Sequence, residues 1–265
     1  MEWINFPFFG IMTLVLWVAG TILILTPGSG RVKHGISHFL YVSGIIVFTI
    51  FLAGLWIQMG RAPMRTLGET RLWYAFFIGV VGYVAYIRWK YKWFLVYSTI
   101  MAMVFMLINL FSPENFSKTL MPALQSPWFV PHVIVYIFGY ALLGAATLVS
   151  VKGLYQVYFR VFRMHLLQFA DNLIYLGFSF LTLGLLFGAV WAKEAWGHYW
   201  TWDPKETWAF VTWLAYLLYI HYRIADPRHV RAPLWILACA FIVLLAAWFG
   251  VNYLPAAQDS IHVYQ

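Results

Sequence analysis

Apolar runs of about 20 residues recur along the whole chain, each long enough to cross a bilayer. No other feature restricts the fold as tightly. In hydrocarbon every backbone N–H and C=O needs a partner within the protein, so only helices and closed barrels can span. These runs are continuous rather than alternating, which argues for helices and against a barrel. Eight spans are expected, at roughly 6–26, 35–58, 70–88, 93–111, 131–151, 170–192, 205–224 and 232–252. The predicted fold is all-α: a polytopic membrane protein in which residues 1–265 form a single integral-membrane domain. Composition agrees, since only 10% of residues are charged where a soluble domain carries about 25%. The first run is read as a span and not a cleaved leader, because it opens with Met1-Glu2-Trp3 and lacks a small-x-small cleavage site.

Charge sets the expected orientation. With both termini outside the cytoplasm, Arg31, Lys33, Arg88, Lys90, Lys92, Lys152, Arg160, Arg163, Arg223, Arg228 and Arg231 fall inside. Arg61, Arg65, Arg71, Lys118, Lys193 and Lys205 fall outside. This is the positive-inside bias, and it suits an even number of spans. The net charge of +8 then reflects topology and contact with anionic membrane lipid, with no nucleic-acid partner required. The one cysteine, Cys239, excludes an internal disulfide, and there is no C-x-x-C-H that would make the chain a c-type cytochrome. The inside segment 152–169 has apolar residues at helical spacing with basic residues between them, and is expected to form an amphipathic helix or a helix extension.

The segment WGHYWTWDPKETW, residues 196–208, interrupts the apolar pattern. Asp203-Pro204-Lys205-Glu206 reads as a helix start: Asp203 as N-cap, Pro204 at the first helical position and Glu206 completing a capping box. Interfacial belts account for scattered tryptophans such as Trp3, Trp73, Trp89 and Trp93. They do not account for Trp191, Trp196, Trp200, Trp202 and Trp208 crowded together with Tyr199 beside them. Such a cluster makes a broad apolar surface with polar handles, suited to a large planar ligand such as haem.

The pattern W-G-x-x-W-x-W-D-x-x-E, formed here by Trp196, Gly197, Trp200, Trp202, Asp203 and Glu206, resembles the "WWD" signature of the haem-handling proteins of cytochrome c assembly. The run from Trp191 to Arg223, ending YIHYR, is most similar to the CcsA (ResC) family, a subunit of the system II cytochrome c synthetase; APMRTLGET at 62–70 resembles the family's loop ahead of the third span. The resemblance implies a protein that binds haem b, moves it across the membrane and presents it on an extracytoplasmic tryptophan-rich segment. The haem is then attached by thioether bonds to the C-x-x-C-H motif of apocytochrome c, which makes the chain a subunit of a cytochrome c haem lyase. It also implies a CcsB (ResB)-type membrane subunit and a thiol-reducing thioredoxin-like protein as partners. The membrane would be a bacterial plasma membrane or a thylakoid membrane.

By the same resemblance, His132 and His262 are the outer iron ligands, and His221 belongs to a second site. The predicted topology is consistent with this: His132 begins span five and His262 follows span eight, both on the side of the tryptophan segment. Two imidazoles could then hold iron from opposite faces. His132 as a helix-end residue and His262 as a solvated tail residue are the plain alternatives. His221 lies about 24 Å along the helix from the outer end of span seven, too far to share that iron. It is either an inner entry site, as an ionisable group at membrane depth suggests, or an interfacial residue beside Arg223. The second inner ligand would come from the partner subunit, with His38 as the in-chain alternative. Lys193 and Lys205 flank the motif and are the favoured cations for haem propionates, ahead of Arg61, Arg65 and Arg71. Competing functions are a di-haem b-type electron-transfer protein, a haem-pathway regulator without ligase activity, and a transporter of another solute.

Overall fold

The computed structural model describes residues 2–27, 30–112, 123 and 126–254. Among these, every regular element is helical. The chain divides into two compact units, Met1–Leu120 and Met121–Gln265. Seven helices are long and apolar enough to cross a membrane, and the protein is an integral multi-pass membrane protein. The helix Pro204–Ala225 matches the extent expected at 205–224 but is not among those seven, because its tryptophans, tyrosines and charged ends make it less apolar than the rest.

The first unit contains α1 (Phe6–Leu25), α2 (Arg31–Met59), α3 (Leu67–Trp89) and α4 (Lys92–Phe111). Its centre is Trp17, wholly buried. A Cβ on Gly44 would come 2.5 Å from the Trp17 ring, and one on Gly79 would come 2.6 Å from it. The indole therefore sits where α2 and α3 lack side chains. Trp17 stacks on Tyr41 at 5.6 Å, and Tyr41 stacks on Tyr83 at 4.8 Å. Buried hydroxyls pair with one another: Tyr41 Oη donates to the Gly79 carbonyl at 3.2 Å, and Thr21 and Thr99 meet at 3.2 Å. Such contacts satisfy some of the polar side chains at membrane depth; Trp17 Nε1 and the Thr13 and Ser98 hydroxyls are buried with no hydrogen-bond partner among the described residues.

The second unit contains α5 (Phe129–Phe159), α6 (His165–Trp196), α7 (Pro204–Ala225) and α8 (Arg231–Trp248). Small residues bring α5 and α6 together: a Cβ on Gly177 would lie 2.9 Å from Leu143, and one on Gly184 would lie 2.7 Å from Tyr136. In a bilayer such close packing replaces the hydrophobic effect as the force between helices. α8 docks on α5 where Gly153 faces Leu234 and Ser150 donates to the Leu234 carbonyl. The segment 152–169 resolves into extensions of two helices, α5 running on to Phe159 and α6 starting at His165. Leu154, Leu167 and Leu234 form a small buried cluster there, which anchors the extensions.

Candidate functional site

The tryptophan segment is shaped by the two helix ends that flank it. α6 stops at Trp196 because Gly197 turns left-handed, at φ 87°, a conformation glycine adopts without the Cβ penalty. Lys193 closes that end, its Nζ donating to the Gly197 carbonyl at 2.7 Å and lying 5.6 Å over the Tyr199 ring. α7 opens with the capping box expected from the sequence. Asp203 Oδ1 accepts from the Lys205 N–H at 3.0 Å. Glu206 Oε2 accepts from the backbone N–H groups of Thr201 at 2.8 Å and Asp203 at 3.2 Å, and from the Thr201 hydroxyl at 3.3 Å. Asp203 and Glu206 are both buried and hold the loop in shape.

The rings fall into two groups. Trp191, 4% exposed, packs against Phe129 at 5.0 Å and Trp196 at 4.8 Å, and its Nε1 donates to the Ala123 carbonyl at 2.8 Å. Trp200 and Trp202 meet edge to face at 5.7 Å, and both contact Phe210, which stacks on Trp213 at 6.0 Å. Trp202 is 64% exposed and has φ 61°, a costly backbone for a bulky residue. Tyr199 is also exposed, and Trp208 is half-buried on the first turns of α7. The indole Nε1 of Trp200 is buried without a hydrogen-bond partner among the described residues.

His132 lies with the first group. Its Nδ1 is 2.9 Å from the Gly184 carbonyl. A carbonyl only accepts, so in the neutral ring the proton is on Nδ1 and the lone pair on Nε2. This is the usual arrangement of a metal-ligating histidine, with the other nitrogen anchored on an oxygen. The ring stacks on Trp191 at 5.4 Å and meets Tyr136 edge-on at 4.7 Å. Gly188 provides its room: a Cβ there would lie 2.8 Å from both His132 Cε1 and Nδ1. Ser126 donates to Glu194 Oε2 at 2.6 Å, tying the approach to α5 onto the end of α6. Gly184, Gly188, Phe129 and Phe210 are site residues that the sequence reading passed over. The G-x-x-x-G spacing at 184–188 was the available signal, because it marks a helix face that can be closely approached.

The other predicted residues are dispersed. His262 lies outside the described residues. His221 is exposed on α7, its Nδ1 on the Leu217 carbonyl at 3.0 Å, near the far end of the helix from Glu206. Two residues on, Arg223 grips Asp171 with Nε at 3.0 Å and Nη2 at 2.9 Å, and Tyr219 donates to Asp171 at 2.6 Å. His38, in the first unit, pairs with the Tyr83 hydroxyl at 2.9 Å and stacks on Tyr86 at 5.9 Å. Among the described residues no three His, Cys, Asp or Glu side chains converge to hold a bare metal ion. The donors fit a metal that arrives with its own equatorial ligands: an oriented imidazole, accessible aromatic faces at Tyr199 and Trp202, and an indole N–H awaiting an acceptor.

The family model described as "Cytochrome C assembly protein" matches residues 6–257. The chain belongs to that family. Similar proteins include cytochrome c biogenesis protein CcsA of Guillardia theta, 30% identical with 97% of each chain covered. The CcsA of Trachelium caeruleum is 32% identical, with 89% of this chain and 87% of that one covered. The CcsA of Chlamydomonas reinhardtii is 33% identical, over 88% of this chain and 67% of that one. The resemblance seen in the WWD segment thus extends through nearly the whole sequence. Cytochrome c biogenesis is the process in which this family member acts.

Proposed function

We propose that residues 1–265 act as one membrane domain that binds haem b as a substrate and presents it at the outer face for covalent attachment to apocytochrome c. In this reading His132 and His262 are the axial ligands. The platform is Trp191 and Trp196 at the end of α6, Gly197, Tyr199, Trp200 and Trp202 in the loop held by Asp203 and Glu206, and Trp208 at the start of α7. His221 marks the entry site at the opposite end of α7, completed by a CcsB-type membrane subunit. The single observation that carries the proposal is His132: its Nδ1 is fixed by the Gly184 carbonyl and its ring is stacked on Trp191, at the root of the WWD segment.

The chemistry asks little of the protein beyond position. Each cysteine thiol of C-x-x-C-H adds across a haem vinyl group. One S–C bond forms, the thiol hydrogen ends on the other vinyl carbon, and nothing is oxidised, reduced or expelled. The thiols must be reduced beforehand, the work of a thioredoxin-like partner. A fixed porphyrin plane places the vinyl groups in a near-attack arrangement, and axial ligation governs the iron's redox potential. The chain serves in this way as the haem-presenting subunit of a cytochrome c haem lyase.

The test is a reduced-minus-oxidised visible spectrum of the purified protein beside His132→Ala and His262→Ala. A low-spin haem b signal that weakens in both variants and recovers with imidazole is expected. Haem indifferent to both changes would refute the ligand pair. Co-expression with the partner subunit and a C-x-x-C-H substrate separates attachment from electron transfer or regulation, because only attachment leaves haem covalently on the substrate.

A further inference from the structure

Residues 61–71, RAPMRTLGETR, hold three arginines and one carboxylate. Glu69 is fully buried. Arg61 grips it with Nη1 on Oε2 at 2.9 Å and Nη2 on Oε1 at 2.8 Å. The backbone N–H groups of Arg65, at 2.6 Å, and Thr66, at 3.3 Å, also donate to Oε2. Thr66 in turn accepts from the Glu69 N–H, which completes a capping box at the start of α3. One carboxylate neutralises one arginine, and that arginine is Arg61.

Arg65 is left over. Its backbone is engaged, yet its Nε is buried without a hydrogen-bond partner among the described residues. Burial, then repulsion by Arg61, pull its proton affinity below the ordinary arginine value, against a smaller contribution from Glu69. A guanidinium stays charged in proteins, and this one is only partly buried, so an anion can reach it. The backbone around it is pinned. Trp73 Nε1 donates to the Pro63 carbonyl at 2.9 Å, and Asn109 Nδ2 donates to the Gly68 carbonyl at 2.8 Å. Arg65 also immediately precedes the α3 N-cap, where the helix dipole adds positive potential. Lys193, favoured from the sequence as an anion partner, is engaged by the Gly197 carbonyl and the Tyr199 ring.

We propose that Arg65 is the centre of an oxyanion-binding site that takes the carboxylate or phosphate of an amphipathic ligand. A porphyrin propionate and a phospholipid headgroup are the two sources of that chemistry. The site lies in the first unit and does not depend on His132 or His262, so it stands or falls separately from haem ligation.

The full chain in detergent, as wild type, Arg65→Gln and Arg65→Lys, is titrated with metal-free protoporphyrin IX and with its dimethyl ester, followed by tryptophan quenching. Neither probe carries iron, so axial histidines contribute nothing. If the source is a propionate, Arg65→Gln weakens protoporphyrin IX about tenfold, the loss of a charge-assisted hydrogen bond, and leaves the ester unchanged; Arg65→Lys recovers part of the affinity. Native mass spectrometry after reconstitution with dioleoylphosphatidylglycerol reads the other source: the wild type retains a lipid that Arg65→Gln loses. Porphyrin and lipid binding both indifferent to Arg65→Gln in a helical, monodisperse protein would overturn the site. If Arg65→Gln does not fold, Arg65→Lys decides by the same comparison, because it keeps the charge and removes the planar fork.

Discussion

Gly188→Ala separates the fold of α6 from the placement of His132. The added methyl would lie 2.8 Å from Cε1 and Nδ1 of the imidazole, where ordinary contact begins at 3.4 Å. The ring must retreat by about half an ångström, since overlap at that range is steeply repulsive. The retreat stretches the 2.9 Å bond from Nδ1 to the Gly184 carbonyl and presses the ring on Trp191, already stacked against it. Overpacking costs about 1–3 kcal/mol, but alanine is worth about 0.5–1 kcal/mol over glycine inside a helix. The second offsets part of the first, so the variant should fold, with a melting temperature modestly below wild type. Haem retention should fall about 10–100-fold, as when the outer support of a metal-ligating histidine is lost. Added imidazole should restore it. Gly177→Ala is the control: it overpacks the same helix pair against Leu143 without touching the histidine, and should retain haem. The assay is the visible spectrum of each purified variant beside its thermal melt. Wild-type haem content and spectrum in a folded Gly188→Ala protein would refute the claim that this ring position matters.

Trp202→Gly removes a ring that is mostly exposed and relieves a positive φ; thermal melting should hold or rise, by about 1–2 kcal/mol at most, while haem retention drops. Asp171→Ala leaves Arg223 buried without its carboxylate and Tyr219 without its acceptor; a loss of about 3–5 kcal/mol is expected in detergent unfolding, and a wild-type melt would show that water or lipid compensates. Glu206→Ala strips the acceptor from the N–H groups of Thr201 and Asp203; stability should fall by about 1–2 kcal/mol, with faster amide exchange at 201 and 203 than in the wild type.

Much of the architecture was legible from local pattern. Hydropathy places seven of the helices as candidate spans, because a bilayer-crossing helix must satisfy its own backbone bonds over a fixed thickness; α7 is less apolar and is marked instead by its helix-start residues. The ends around the WWD segment were equally readable: Gly197 can turn left-handed, and Asp203, Pro204 and Glu206 carry a helix start in their spacing. The same T-x-x-E spacing at Thr66–Glu69 was available and overlooked. Exact helix lengths were less accessible, since the extensions of α5 and α6 are held by Leu154, Leu167 and Leu234, which come from three separate helices.

The tertiary structure decided what each functional side chain meets. The sequence offers eight histidines; only packing shows that His132 is oriented by the carbonyl of Gly184, 52 residues away, and that Gly188 leaves room for its ring. Nor does composition reveal that the Arg61 guanidinium grips both oxygens of Glu69 while Arg65 keeps a buried Nε with no hydrogen-bond partner among the described residues. Periodicity and capping are properties of neighbours along the chain. Hydrogen bonds across helices, and the room made by a missing side chain, depend on which faces α5 and α6 turn to each other, and that is settled only when the helices pack.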